Sequence, residues 1–546
     1  MNGRYKRERG AFIMYGKLYS ACLYGIDGVM IEVEVDLSSG IPQTHVVGLP
    51  DSAVREAVDR VRAAIKNCGY TFPLQRVTIN LAPADLRKEG TAFDLAIALG
   101  LLISSGQVAL PENERILIIG ELSLEGALRP VPGVLPMVDL ARRHGFHSVL
   151  VPEGNVPEAL LLDGITVYGL SHLNQLSPEG MGSRGSRGTE DSLILESLAH
   201  LQRSPLPPSS EPSTNAHGLS KPPENYSDVL GQRHIKRALT IAAAGMHNIM
   251  LIGPPGTGKT MLIRRLPTIL PPLTSGESLE VTKIYSSASK FNPSETGLIT
   301  ERPFRAPHHT ISGGGMVGGG SIPKPGEVSL AHRGVLFLDE LPEFSRQVLE
   351  MLRQPLEEHR VTISRSRASF TFPARFLLAT SLNPCPCGFS GAEPPQPVCT
   401  CNPYRIAQYR EKLSGPLLDR IDMHVEVPRP TNWQNDASPL SSEEMRFEVE
   451  KAEQIQLHRY RNQGISRNSE LSGSALRRYA KLHPDAGLLL KSSFDALGLS
   501  MRAHDRILKL SRTIADLDGC SEILAGHVAE AIQYRHLDKR SQDTMF

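Results

Sequence analysis

The stretch from Asn248 to Thr260, N-I-M-L-I-G-P-P-G-T-G-K-T, does most to limit what this chain can fold into. Four apolar residues, Ile249 to Ile252, predict a short buried strand. Gly253, Pro254, Pro255, Gly256, Thr257 and Gly258 then turn the chain. Lys259 and Thr260 open a helix that runs on through Met261, Leu262 and Ile263. The pattern is G-x-x-x-x-G-K-[ST], a phosphate-cradling loop. Its glycines let backbone N–H groups converge on phosphate oxygens, and the helix N-terminus adds the positive end of its dipole. In such a loop Lys259 reaches the β- and γ-phosphates of ATP, and the Thr260 hydroxyl holds Mg²⁺.

The rest of the sequence bounds that reading. With 546 residues there is room for about three domains. A hydrophobic content of 40% and a charged content of 21% are ordinary for a soluble globular protein. The net charge of +1 means that any contact with nucleic acid must come from a local patch. No apolar run approaches the ~20 residues of a membrane span. Residues 1–14 read as a basic extension without the apolar core of a signal peptide, and Met14 is a second candidate start. Seven cysteines, four of them clustered, suit a reducing cytoplasm better than a disulfide framework.

Downstream of the loop, Gly334 to Glu340 reads G-V-L-F-L-D-E, a buried strand ending in two acids. This is the Walker B pattern, in which Asp339 holds Mg²⁺ and Glu340 orients and deprotonates the attacking water. Phe376 to Asn383 predicts another buried strand, with Asn383 at its end near the γ-phosphate or its water. Between the loop and the acids, Arg302 to Arg333 is rich in glycine and reads either as a flexible surface loop or as a substrate-touching insertion. His308 and His309 within it suit a structural role better than metal binding. Arg360 to Pro373 alternates around Arg365-Ser366-Arg367, a hairpin whose basic tip is a solvated turn or a contact for nucleic-acid phosphates.

Cys385 and Cys387, then Cys399 and Cys401, form two close pairs. They read either as a Zn²⁺ site or as reduced surface cysteines. In Ser414 to Asp422, S-G-P-L-L-D-R-I-D, Arg420 is a surface ion-pair residue or an arginine finger for a neighbouring subunit. Residues 440–540 read as helical. Ser500 caps a helix carrying Ile507, Leu510, Ile514 and Leu517 on one face, and Arg502 in its first turn opposes the helix dipole.

Residues 15–170 read as one α/β domain, with strands at Val29 to Leu37, Arg76 to Leu81 and Glu114 to Ile119, and helices at Asp51 to Cys68 and Phe93 to Ile103. The segments K-E-G-T-A-F-D at Lys88 to Asp94, and Gly120 to Phe146, resemble the proteolytic domain of Lon-type proteases. That family uses a Ser–Lys pair. Here Ala92 and the stretch Val134-Leu135-Pro136-Met137 stand in the matching places, so peptidase chemistry has no nucleophile and no base. Residues 171–225 are rich in Ser, Gly and Pro and read as a linker, with helical spacing only over Asp191 to Leu201.

Residues 226–430 complete the picture. P-F-R-A-P-H-H-T-I-S, G-E-V-S-L-A-H-R-G-V-L-F-L-D-E-L-P-E-F, N-P-C-P-C-G and S-G-P-L-L-D-R-I-D resemble the magnesium-chelatase-like AAA+ ATPases of the ComM/YifB group. The resemblance implies an α/β architecture. It has a Lon-protease-like N-terminal domain (the ribosomal protein S5 domain 2-like fold), a P-loop AAA+ core and a C-terminal helical lid. It further implies hexameric rings, Arg502 as a phosphate contact from the lid, and a cytoplasmic helicase driving branch migration of single-stranded or branched DNA during natural transformation. Ser381-Leu382 stands out from the usual pattern and is not expected to touch the nucleotide chemistry. A metal-insertion motor and a protein remodeller are the competing functions. The first requires a partner with a metal-binding domain, and the second would suit an aromatic pore loop better than an Arg-tipped hairpin.

Overall fold

A computed structural model describes residues 15–108, 115–176, 198–204, 224–292, 297–320, 323–365, 368–391, 397–429 and 439–535. The basic extension, most of the stretch read as linker with residues 191–197 of its helical spacing, and Ser366 and Arg367 at the hairpin tip lie outside the described residues. The chain divides into two compact units.

The first unit comprises residues up to Thr214 together with Thr282–Leu298. Its mixed sheet runs in the order Gln202–Arg203, Thr166–Leu170, Ser148–Pro152, Ile116–Ile118, Tyr15–Tyr24, Asp27–Ser38, Arg76–Ala82, Gln43–Val47. The predicted strands and helices are present with ends shifted by a few residues at most. Asp51 caps the helix Ser52–Asn67 by accepting from the Val54 N–H at 2.8 Å. The helix Asp94–Ser104 is apolar on all sides and buried, with Leu95 to Leu99 wholly inaccessible. Ala92 and Leu135 are buried core residues with no nucleophilic atom.

The stretch read as linker is shorter than its composition suggests. Leu173–Leu176 and Leu198–Leu201 form 3-10 turns, and Gln202–Arg203 adds the edge strand of the sheet. Leu176 and Leu201 are buried, so a few leucines among Ser, Pro and Gly are enough to anchor the chain there.

The second unit is built on five parallel strands in the order Phe304–Arg305, Val335–Leu338, Leu377–Leu382, Ile249–Ile252, Met423–Glu426. Every residue of Val335–Leu338 and Leu377–Leu382 is buried, as expected of a parallel sheet covered on both faces. The strand ending in Asp339 and the strand carrying the phosphate loop flank the strand that ends at Asn383. Their carboxyl ends therefore lie side by side, at the end of the sheet where open α/β folds bind ligands.

The helix Arg233–Gly245 starts just after Gly231 and Gln232, which take left-handed φ values of 69° and 53°. The glycine-rich stretch is built rather than loose. It holds the helix Gly313–Val317, a short pairing of Gly318–Gly319 with Lys324–Pro325, and the helix Glu327–Leu330, with Met316 and Val328 wholly buried. Within it His308 and His309 stack with ring centroids 4.0 Å apart. Five helices, Ser442–Arg459, Gly473–Tyr479, Pro484–Leu497, Met501–Leu517 and Ala525–Gln533, follow. Their apolar faces join one core with Ile235, Ile241, Ile249 and Leu251. Ser500 caps Met501–Leu517 from its side-chain oxygen, and Ile507, Leu510 and Ile514 are buried as the periodicity requires.

Candidate nucleotide site

The phosphate loop leaves the strand Ile249–Ile252 at its carboxyl end and enters the helix Lys259–Arg264. Gly256 and Gly258 sit at φ of 76° and 84°, which L-residues resist. The Lys259 side chain is buried. Its Nζ donates to the Gly253 carbonyl at 2.7 Å, the Pro254 carbonyl at 2.8 Å and Asn383 Oδ1 at 3.2 Å. Burial lowers the affinity of this amine for its proton, and Asp339 and Glu340 partly restore it. A phosphate oxygen arriving at Nζ would replace weak carbonyl partners with a charged one.

Thr260 Oγ1 donates to Asp339 Oδ2 at 2.9 Å, so the hydroxyl and carboxylate suited to Mg²⁺ already meet. The other Asp339 oxygen accepts from the Ser381 hydroxyl, which in turn accepts from the Glu340 N–H at 3.3 Å. From sequence, Ser381 is not expected to touch the nucleotide chemistry. In the structure its hydroxyl nevertheless bonds the carboxylate of Asp339, the residue read from sequence as the Mg²⁺ ligand. Glu340 is exposed and occupies the left-handed region at φ 53°, ψ 53°. Such a conformation costs roughly 1–2 kcal/mol for a residue with a side chain and turns its carboxylate out of the strand line.

Three family profiles match in chain order. "Subunit ChlI of Mg-chelatase" covers residues 33–155, "Magnesium chelatase, subunit ChlI" covers 225–435, and "Magnesium chelatase, subunit ChlI C-terminal" covers 439–535. Among relatives, the chain is 41% identical over 522 residues to competence protein ComM of Haemophilus influenzae, spanning 95% of this chain and 97% of that protein. It is 40% identical to YifB of Escherichia coli over 96% of this chain and 97% of the relative. The chain belongs to the magnesium-chelatase-like ComM/YifB family. A narrower likeness, 26% over 183 residues, links it to the magnesium-chelatase 38 kDa subunit of Rhodobacter capsulatus, covering 51% of that protein.

In this ComM/YifB-family chain Arg420 and Arg502 are not hydrogen-bonded to the loop, to Asp339 or to Glu340 among the described residues. Arg420 is buried, donating to the Pro416 carbonyl and to Glu357. Arg502 is exposed and pairs with Asp419 at 3.3 Å. The same S-G-P-L-L-D-R-I-D segment carries a feature that sequence reasoning missed. Asp422 is buried against Arg506 of the helix Met501–Leu517 and against His247, which also bonds Thr513 at 2.7 Å. Burial pushes the Asp422 carboxyl up, but Arg506 and His247 outweigh it and hold the group well below the usual carboxylate range. The segment therefore ties the parallel sheet to the C-terminal helices through Asp419–Arg502 and Asp422–Arg506.

The strands Arg360–Arg365 and Ala368–Pro373 pair in antiparallel register, with Arg365 opposite Ala368 at the end of the ladder. Arg367 lies outside the described residues. The four clustered cysteines converge, with all their sulfurs within 4.8 Å of one another. This is the one His, Cys, Asp or Glu group of metal-holding geometry among the described residues.

Proposed function

We propose that this protein is a ring-forming AAA+ motor that hydrolyses Mg²⁺-ATP to move DNA, single-stranded or branched, as a branch-migration helicase. In this reading the backbone from Gly253 to Gly258 cradles the phosphates. Lys259 neutralises the β- and γ-oxygens, and Thr260 and Asp339 hold Mg²⁺. Glu340 activates water, and Asn383 positions it. Arg502 approaches the phosphates from a lid formed by the C-terminal helices, and Arg420 serves the site of the next subunit. Arg365 and Arg367 meet DNA phosphates. The N-terminal unit has a Lon-protease-like fold without its Ser–Lys pair and serves assembly or regulation. A zinc ion on Cys385, Cys387, Cys399 and Cys401 completes the cofactor set. The thiols remain reduced in the cytoplasm, and no helix of the described residues is long and apolar enough to cross a membrane.

The observation that carries the ATPase reading is the meeting of Lys259 with Asn383, and of Thr260 with Asp339, across 124 and 79 residues of sequence. The DNA reading draws support from the near full-length likeness to a protein named for competence, against a partial likeness to the chelatase subunit. Lys259→Ala is expected to abolish nucleotide binding, whereas Glu340→Gln retains ATP and blocks its turnover. Binding of a fluorescent ATP analogue together with steady-state phosphate release separates the two. Normal turnover in Glu340→Gln would sink the assignment of the water-activating base.

A further inference from the structure

The cysteine cluster has the dimensions of a tetrathiolate. In a tetrahedral site with Zn–S bonds of about 2.3 Å, neighbouring sulfurs stand roughly 3.8 Å apart. Here Cys385 Sγ lies 3.3 Å from Cys387 Sγ and 3.7 Å from Cys399 Sγ, and Cys387 and Cys399 are 3.5 Å apart. A disulfide would bring a pair to about 2.05 Å. The sulfurs thus crowd around a common point without bonding to one another. The Ser390 N–H donates to Cys385 Sγ at 3.3 Å. Such N–H donors orient and stabilise metal-bound thiolates.

The cluster is built onto the phosphate loop. Gly388, inside the cysteine segment at φ 88°, lies so close to Pro255 that a Cβ there would stand 2.5 Å from Pro255 Cδ. Cys385 follows Asn383 by two residues, and Tyr409 on the helix after the cluster is buried. Arg410 of the same helix, Pro403–Glu411, donates to the Pro384 carbonyl at 3.3 Å. Asn383, which accepts from Lys259 Nζ at 3.2 Å, and Cys385 thus stand at the two ends of a short peptide that Arg410 holds at Pro384. With no metal, four thiols offer one another only weak S–H bonds.

Resting on the ATPase reading above, we propose that zinc at these four cysteines is a positioning device for nucleotide hydrolysis. It holds Asn383 and the Pro255 face of the phosphate loop in register, so that metal occupancy sets turnover rather than ATP binding. A misplacement near 1 Å at a reacting centre costs on the order of 10²-fold in rate. Losing the metal should therefore lower kcat by about 10- to 100-fold with nucleotide affinity nearly kept.

The test uses the full-length protein prepared without chelators. Elemental analysis should find about one zinc per chain, lost in Cys399→Ser/Cys401→Ser. kcat and ATP-analogue affinity are then measured for wild type, the double cysteine variant, Gly388→Ala, Asn383→Ala, and the cysteine and Asn383 changes combined. Gly388→Ala keeps every thiol, so it should retain zinc yet lose kcat. It also keeps the inference testable if the cysteine variant fails to fold. Because zinc acts through Asn383, the cysteine change should add little to Asn383→Ala, a non-additivity that general destabilisation would not give. Unchanged turnover in Asn383→Ala would overturn the nucleotide-site reading itself. A full loss in Asn383→Ala with normal turnover in zinc-free protein would overturn the zinc inference alone. So would a chain containing no zinc, or iron in its place.

Discussion

Ser381→Ala tests the part of the site that only the three-dimensional arrangement reveals. The Ser381 side chain is 1% exposed and links two acidic residues, donating to Asp339 and accepting the Glu340 N–H at 3.3 Å. Alanine removes both bonds without adding bulk. A hydrogen bond to a charged group is worth about 1.5–3 kcal/mol in place. Thr260 still holds the other Asp339 oxygen, so the carboxylate is loosened rather than lost. If roughly half to all of that energy is expressed at the Mg²⁺-bound transition state, kcat should fall by about 4- to 160-fold. The Mg²⁺ concentration for half-maximal rate should rise as well, while ATP binding without Mg²⁺ stays as in wild type. Phosphate release followed across a Mg²⁺ titration reads all three. A Ser381→Ala protein with wild-type kcat and an unshifted Mg²⁺ curve would refute the claim that this hydroxyl sets the Asp339 carboxylate.

Arg420→Ala should bind ATP and lose turnover by roughly 10³-fold or more, as expected of an arginine finger. Mixing it with Lys259→Ala subunits should restore part of the ATPase, and full ATPase in Arg420→Ala alone would sink the finger. Burial pushes the His424 imidazole down to about 3, with Arg535 and Arg506 adding to the effect, so the folded state refuses a proton that the unfolded chain accepts below its ordinary 6.5. Stability from this residue is thus fully present above pH 6.5 and is lost as pH falls toward 3, at up to about 1.4 kcal/mol per pH unit. Denaturant unfolding at stepped pH should show a shallower acid loss in His424→Gln than in wild type, and identical slopes would contradict this. Arg365→Ala/Arg367→Ala should keep basal ATPase and weaken DNA binding with a flatter salt dependence, read by fluorescence anisotropy at several salt concentrations. Unaltered DNA affinity would remove the hairpin tip from the account.

What the sequence disclosed about the site follows from how far apart its partners lie. The phosphate loop and the D-E pair are local patterns, readable because strand, turn and helix succeed one another within a few residues. Ser381 bonds a partner 42 residues away and Asp422 one 84 residues away, and no local period marks either. The S-G-P-L-L-D-R-I-D segment looked like the seat of one functional arginine. Three of its charged residues in fact pair within the same chain, with Arg502, Glu357 and Arg506. Glycine content misled in the stretch after Arg302, where tight packing around Met316 demands small residues as much as mobility would. In the N-terminal unit, strict alternation in Asp27–Ser38 and the 3.6 period of Ser52–Asn67 were legible because one face of each is buried and the other is not. The cysteines were visible as two pairs, but only the fold brings the second pair onto the first.

DNA-driven ATP hydrolysis is read from the rate of ATP hydrolysis without DNA, with single-stranded DNA and with a branched DNA junction, using Glu340→Gln as the blank. A Glu340-dependent basal rate should rise when single-stranded or branched DNA is added. A Glu340-dependent rate indifferent to every DNA added would contradict it and turn attention to a protein or metal-insertion substrate.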